Sequence, residues 1–361
     1  MTSDLDGGAQ VVATVPGEGP RPPSGEPTRG GARPWNGLLR WETALLGILI
    51  ASVVFGAHTS PHFLSSTNFF FVGLNVGEIA IMALPLTLIV ITGEIDLSVA
   101  SMLGLSSTLL GALFRDGWPI ALAVVAVLIV GLLGGALNGL LVTRLGLPSI
   151  AVTIGTLTLF RGVAEIILQS DSVTGFPIEL TNIGILPLPG TQVAFSVGIF
   201  LVMAVIYGVV LHASPMGRKI FAIGMQEEAA FFSGVRVTRI KFWLYALSGL
   251  ICSLAGILWT FRFATSRYDA GTGLELNVVA IVLFGGVSIF GGRGSIIGVV
   301  LATAVMGSLQ ESLTLINVDA QVQNIVIGVL LLVSVVVPNL PGLVRRTRQI
   351  FAERARMAHP S

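Results

Sequence analysis

The sequence predicts an all-α integral membrane protein of about ten transmembrane helices, some short or broken, with one further short helix in a cytoplasmic loop. Three observations predict it. Ten apolar stretches follow one another from Trp41 to Val337 with no room between them for a soluble domain. Of the 361 residues, 53% are hydrophobic and only 11% are charged, against about 25% charged in an ordinary soluble domain. The arginines are also shared unequally between alternate connections, the signature of a chain oriented by its cytoplasmic positive charge. A spanning helix needs roughly 20 mostly apolar residues, because the hydrocarbon core is about 30 Å thick and each helical residue rises about 1.5 Å.

Residues 1–38 are rich in Gly, Pro and charge and carry no apolar periodicity. Such a segment cannot bury enough surface to offset its chain entropy and is expected to be a disordered cytoplasmic tail. Its first apolar run begins too late for a secretory signal. The domain 39–340 then holds spans at 41–58, 72–92, 97–114, 118–142, 148–169, 192–213, 242–261, 276–291, 295–313 and 321–337, and residues 341–361 form a basic cytoplasmic tail. Only Gly93-Glu94-Ile95-Asp96 separates the second and third spans, and only Gly292-Arg293-Gly294 the eighth and ninth. Each pair must turn sharply or break within the membrane, where non-helical backbone survives only if protein or a water-filled cavity covers it. Both breaks are therefore candidates for a translocation path, and breaker-interrupted helices in each half suggest an internal duplication.

With both termini inside, the cytoplasmic segments collect Arg144, Arg218, Lys219, Arg236, Arg239, Lys241, Arg293 and the arginines of the two tails, whereas the outer segments hold only Arg115, Arg262 and Arg267. Arg161 alone falls inside a span. Ten crossings satisfy this asymmetry; removing one puts a basic cluster outside. Gly131, Gly135 and Gly139 recur every four residues, a spacing that lets two helices cross closely.

Several chemistries are excluded. One cysteine, Cys252, permits neither an intrachain disulfide nor a CxxC site, and His58, His62, His212 and His359 have no metal-binding spacing. The glycine-rich run 285–295 lacks the GK[ST] of a phosphate-binding loop, so the chain has no visible means of hydrolysing ATP and no catalytic residue is assigned. A net charge of +1 implies no nucleic-acid partner. Glu94 and Asp96 are ionisable groups at a membrane boundary and so functional candidates by default; the alternative is local architecture, with Asp96, next to Leu97 and Ser98, capping the following helix. Glu78, Glu165 and Glu311 fit either an interior polar seam or a proton or sodium relay.

The loop 214–241 contains a short amphipathic segment bracketed by Gly224 and Gly234, with Glu227 and Glu228 in the first turn, where the helix dipole favours acids, then Ala229, Ala230, Phe231 and Phe232. It suits either a membrane-surface linker or a helix docking in another protein's groove. Prolines at Glu228 and Ala229 are expected to destroy it. Arg262 and Arg267, in the outer loop after the seventh span, are either docking cations for an acidic partner or interface-snorkelling side chains.

Six motifs in order resemble one known group. They are residues 92–99 (TGEIDLSV), 138–143 (NGLLVT), 153–162 (TIGTLTLFRG), the AIG at 222 with EAA at 228 and SGV at 233, residues 270–276 (AGTGLEL) and 291–298 (GGRGSIIG). From about Trp41 to Pro338 the chain is similar to the integral-membrane permease subunits of bacterial ABC importers for monosaccharides, the group that includes ribose, rhamnose and autoinducer-2 permeases. The resemblance implies a multi-pass subunit of the bacterial inner membrane that forms the translocation path by alternating access. The segment from Gly224 to Gly234 would then be the coupling helix seated in a cytoplasmic ATPase subunit. It also implies a second permease subunit, an extracytoplasmic sugar-binding protein, and ATP and Mg used only by the ATPase, with no cofactor bound here. Glu94 and the Ala83-Leu84-Pro85-Leu86 stretch lean toward the rhamnose or autoinducer-2 branch. Under this reading Glu94, Asp96, Ser98, Gly292 and Gly294 belong to the path or its architecture, and most substrate affinity is expected in the binding protein rather than in a deep pocket here. The alternative is a secondary transporter driven by an ion gradient.

Overall fold

The structure, a computed structural model, describes residues 35–333 and Val336. Its helices are α1 (Trp35–Thr59), α2 (Ser66–Ile91), α3 (Val99–Arg115), α4 (Ile120–Thr143), α5 (Ser149–Leu168), α6 (Ile178–Ile185), α7 (Phe195–Gly208, continued by a π turn Val209–Ala213), α8 (Pro215–Met225), α9 (Glu227–Phe232), α10 (Val237–Phe263), α11 (Leu274–Phe284), α12 (Ile296–Leu315) and α13 (Ala320–Val333). Two short antiparallel strands, β1 (Val173–Thr174) and β2 (Thr265–Ser266), pair Val173 with Ser266.

Among the described residues, seven segments are long and apolar enough to cross a membrane, and the three shorter apolar helices α3, α11 and α13 match the remaining expected spans. The protein is thus an all-α multi-pass membrane protein. The bounds differ at several places, among them the starts of α2 at Ser66 and α10 at Val237. Helix α1 starts at Trp35, inside the expected tail, while the rest of that tail and the segment 341–361 lie outside the described residues. Helix α6 is an extra helix of about two turns in the connection after α5, and α8 an extra helix before α9, begun by Ser214, whose hydroxyl accepts from Met216 N at 3.0 Å, with Pro215 behind it. The eighth segment is helical only over Leu274–Phe284, not across 276–291.

Helix α2 is the centre of the bundle, buried from Val76 to Ile91 and packed against α7, α10, α11 and α12. Helices α4 and α10 cross closely because a side chain at Gly131, Gly135 or Gly139 would run into Ser253, the Tyr245 carbonyl or Phe242. In lipid there is little hydrophobic drive between helices, so close backbone approach supplies the packing instead.

The helix ends sort into two faces. On the first, Ile95 N reaches Ser149 Oγ (3.2 Å), Trp41 Nε1 reaches the Phe284 carbonyl (3.0 Å) and Ser295 Oγ reaches Glu42 (2.6 Å). This brings together the ends of α2 and α11, the starts of α1, α3, α5 and α12, and the segment 214–241. On the opposite face Arg115, at the end of α3, lies 3.8 Å from Asp171, just past the end of α5.

Between these faces the eighth segment is broken. Gly131, at the middle of the 24-residue α4, packs on Ser253, which accepts from Ser106 Oγ at 2.7 Å, marking mid-depth on α3. One and two residues further along α3, Ser107 O accepts from Ser266 Oγ (2.6 Å) and Thr108 Oγ1 donates to Arg267 O (3.3 Å). The chain after α10 therefore descends without helix to mid-membrane, and α11 completes the crossing: its 11 residues rise about 16 Å, half a bilayer. Arg161, the one arginine inside an expected span, covers this unwound stretch by donating to the Tyr268 and Ala270 carbonyls, both at 2.8 Å.

Candidate functional site

Helix α9 is a single short turn of helix presented outward from the first face. Its hydrogen bonds run from Ala230 N to Gln226 O (3.0 Å) and from Ser233 N to Ala229 O (3.0 Å), and Gly234 N closes it onto Phe231 O (2.9 Å). Glu227 and Glu228 occupy the first turn. Ala230 faces inward, while Phe231 and Phe232 are 61% and 85% exposed, their rings edge to face at 5.7 Å. Because the amides of Glu228 and Ala229 donate to no helical carbonyl, prolines there remove no hydrogen bond of the turn. Ala230 is the first position whose replacement by proline removes a hydrogen bond, which corrects the earlier expectation.

Two connections tie α9 and its flank to the breaks. Lys241, buried near the start of α10, places Nζ 2.6 Å from Glu227 Oε2 and 2.7 Å from Glu94 Oε1. One cation thus joins α9 to the α2–α3 break. The second connection is backbone packing at Gly224, which lies inside α8: any side chain there would strike the Ile91 carbonyl and the Gly292 amide, and Gly292 N donates to Ile91 O at 2.8 Å. Gly291 and Gly292 adopt φ of 80° and 71°, angles that glycine tolerates without Cβ strain. The two breaks, 200 residues apart in sequence, therefore meet each other and α8 at one point. Gly294 sits beneath, against Ile91 and Val287.

Asp96 and Ser98 form a buried knot just behind. Asp96 Oδ1 accepts from Ser98 N (3.0 Å) and Ser98 Oγ (2.6 Å), Oδ2 accepts from Ser248 (3.2 Å), and Asn138 Nδ2 donates to Ser98 Oγ (2.8 Å). Asp96 thus shapes the turn into α3, which begins at Val99, and bonds α3 to α4 and α10.

Arg262 is not free on an outer loop. Its guanidinium lies 3.0 Å from Glu78 and 2.7 Å from Asn75 Oδ1, and Asn75 also bonds Glu311 at 3.4 Å. Glu78 and Glu311 so belong to one polar seam among α2, α10 and α12, whereas Glu165 faces outward from α5. Arg267 sits on the unwound half of the eighth segment, gripped through both Nε and Nη2 by Asp269 at 2.8 Å. Arg262 is thus largely buried in the Glu78 pair, whereas Arg267, though paired with Asp269, keeps more than half of its side chain exposed. Among the described residues no cluster of His, Cys, Asp and Glu could hold a metal ion.

Three contributors were not assigned a role from sequence. Lys241 was visible only as one of the cytoplasmic cations, Arg161 only as a charge inside a span, and Phe290, 76% exposed on the α11–α12 turn, as part of a glycine-rich run. Phe290 and Met225 extend the exposed apolar surface of α9 on the first face.

Residues 68–335 match the family described as branched-chain amino acid transport system / permease component. The autoinducer 2 import system permease protein LsrD of Escherichia coli K12 is 33% identical over 321 residues, covering 87% of this chain and 97% of that protein, and LsrD of Shigella flexneri and of Escherichia coli O157:H7 align equally. No solved structure matches the chain.

Proposed function

Since the chain belongs to the family of permease components of ABC import systems, we propose that it forms half of the translocation path of an ATP-driven bacterial importer for a monosaccharide or similar polyol, with an autoinducer-2-like or rhamnose-like solute favoured. The observation that supports this most is the exposed α9 turn, bound through Lys241 to the α2–α3 break and, through α8, to the α11–α12 break. An apolar aromatic pair on a short helix is what a partner's groove can grip. In this reading the first face is cytoplasmic and both termini lie on it, in the inner membrane. ATP binding closes the paired ATPase subunits, α9 moves with them, and the two breaks shift together so that the bundle opens outward to receive solute from an extracytoplasmic binding protein.

The ion-driven alternative loses support at two of its carboxylates, since Glu78 and Glu94 are each held by a cation at 3.0 Å or less. Reconstitution with the ATPase and binding protein tests the proposal. The Ala230→Pro variant should assemble and reach the membrane yet fail in ATP-dependent uptake. Uptake at the normal rate by an assembled Ala230→Pro complex would make α9 a passive linker, and uptake under an ion gradient without the ATPase would establish the alternative.

A further inference from the structure

The unwound half of the eighth segment borders a cavity of about 310 Å³ lined by Trp259, Phe263, Arg267, Asp269, Thr272 and their neighbours. That volume is at the lower end of small-molecule sites, about 300–1,000 Å³. A larger cleft of about 720 Å³ lies between α2, α7, α8 and α10, but its walls are mainly aliphatic and it opens beside the first face, away from the break.

We propose that the smaller cavity is a subsite for one neutral sugar ring at the middle of the membrane; this rests on the importer reading above. Its depth follows from the contacts of Ser266 and Arg267 with Ser107 and Thr108 at the midpoint of α3. Its chemistry has two parts. The Trp259 and Phe263 rings, 4.5 Å apart, form an apolar wall suited to the C–H face of a sugar, and the Arg262 guanidinium, 4.8 Å from the Phe263 centroid and anchored by Glu78, braces that wall from behind. Facing it, Arg267 and Asp269 neutralise each other through two hydrogen bonds while keeping outward N–H donors and carboxylate lone pairs for hydroxyl groups. Thr272, whose hydroxyl donates to the Asp269 carbonyl at 2.7 Å, retains its acceptor side. Backbone groups freed from helix and the N-terminus of α11 complete a polar rim in the pattern of substrate sites built on discontinuous membrane helices.

The pairing also selects the ligand class. An amino acid would need a free guanidinium fork for its carboxylate, and that fork is already occupied by Asp269. Hydroxyl groups need only the lone pairs and N–H groups left over. A site on a conduction path must also release its solute, so binding here should be weak.

Cysteine protection in the full permease–ATPase complex tests this. Cys252 is the only cysteine and is buried, so Thr272→Cys and, separately, Phe263→Cys report on the cavity, with Gly117→Cys as an outer-turn control. L-Rhamnose and D-ribose should slow maleimide labelling at both cavity positions, about tenfold at ten times the dissociation constant, and leave Gly117→Cys unchanged. L-Leucine should protect neither. Absence of labelling at both cavity positions, labelling unaffected by either sugar, or protection by leucine but not by sugar would each overturn the proposal. ATP-dependent uptake by the wild-type complex is measured in parallel, so failure of the importer reading shows as absent uptake whatever the protection pattern.

Discussion

Lys241 and Glu94 are 147 residues apart in the chain, yet their side chains meet at 2.7 Å where α10 passes the α2–α3 break. The same ammonium is 2.6 Å from Glu227 on α9, so a displacement of α9 relative to α10 pulls on the one cation that also holds the break. The two carboxylates differ in environment: the Glu94 side chain is 18% exposed and that of Glu227 55%.

That difference predicts unequal effects. Lys241→Met should lower thermal stability by about 2–3 kcal/mol, because it strands a largely buried carboxylate, and Glu94→Gln should come close to it. Glu227→Gln removes an exposed pair and should cost no more than about 1 kcal/mol. In reconstituted complexes, Lys241→Met should retain ATP hydrolysis while uptake per ATP falls several-fold. Equal destabilisation by Glu94→Gln and Glu227→Gln would refute this division of roles.

Two helical glycines should respond with opposite sign to alanine. Gly224→Ala forces a methyl against Ile91 O and Gly292 N, an overpacking that costs about 1–3 kcal/mol, and it should separate α8 from both breaks and impair uptake. Gly47, in α1, has no neighbour within 4 Å of an added methyl, so Gly47→Ala should stabilise by about 0.5–1 kcal/mol. Thermal unfolding of the two purified variants in one detergent makes the comparison; a stabilised Gly224→Ala would remove the contact from the scheme.

The Arg262–Glu78 pair is buried on both sides. Arg262→Met alone should cost about 3–5 kcal/mol by leaving Glu78 uncompensated, and the double variant with Glu78→Met should recover most of that. A double-mutant cycle measures the coupling; additive losses would show that the two residues act separately. For the same reason Arg262→Glu, which sets two carboxylates together, is expected to misfold rather than to report on partner docking.

Single cysteines in a Cys252→Ala background should divide the chain by side. Gly117 and Gly190 are exposed on the face opposite α9, and Arg144 and Arg236 on the face that bears it. Impermeant maleimide applied to intact cells should label the first two only. Thr181 is buried in α6, so a probe there should stay silent in the folded protein. Labelling of Arg236→Cys from outside would invert the orientation and end the coupling role of α9.

The sequence by itself determined that the chain crosses a membrane about ten times, where the crossings fall, that the helix near Glu227 carries an exposed aromatic pair, and where the chain must break near Glu94 and Gly292. These are legible because they depend on local quantities: the length of an apolar run, the spacing of arginines, the position of glycines. Only the tertiary structure decided that the two breaks touch at Gly224, that Lys241 bridges Glu94 and Glu227, that Arg262 turns inward to Glu78, and that the eighth crossing is half unwound with Arg161 covering its carbonyls. The physical reason is that a charge in lipid must find a partner, and an unpaired carbonyl a donor. Sequence reveals the need, but the partner lies on another helix, more than 100 residues away in each of the Lys241–Glu94, Arg262–Glu78 and Arg161–Tyr268 contacts, and only the packing of the bundle selects it.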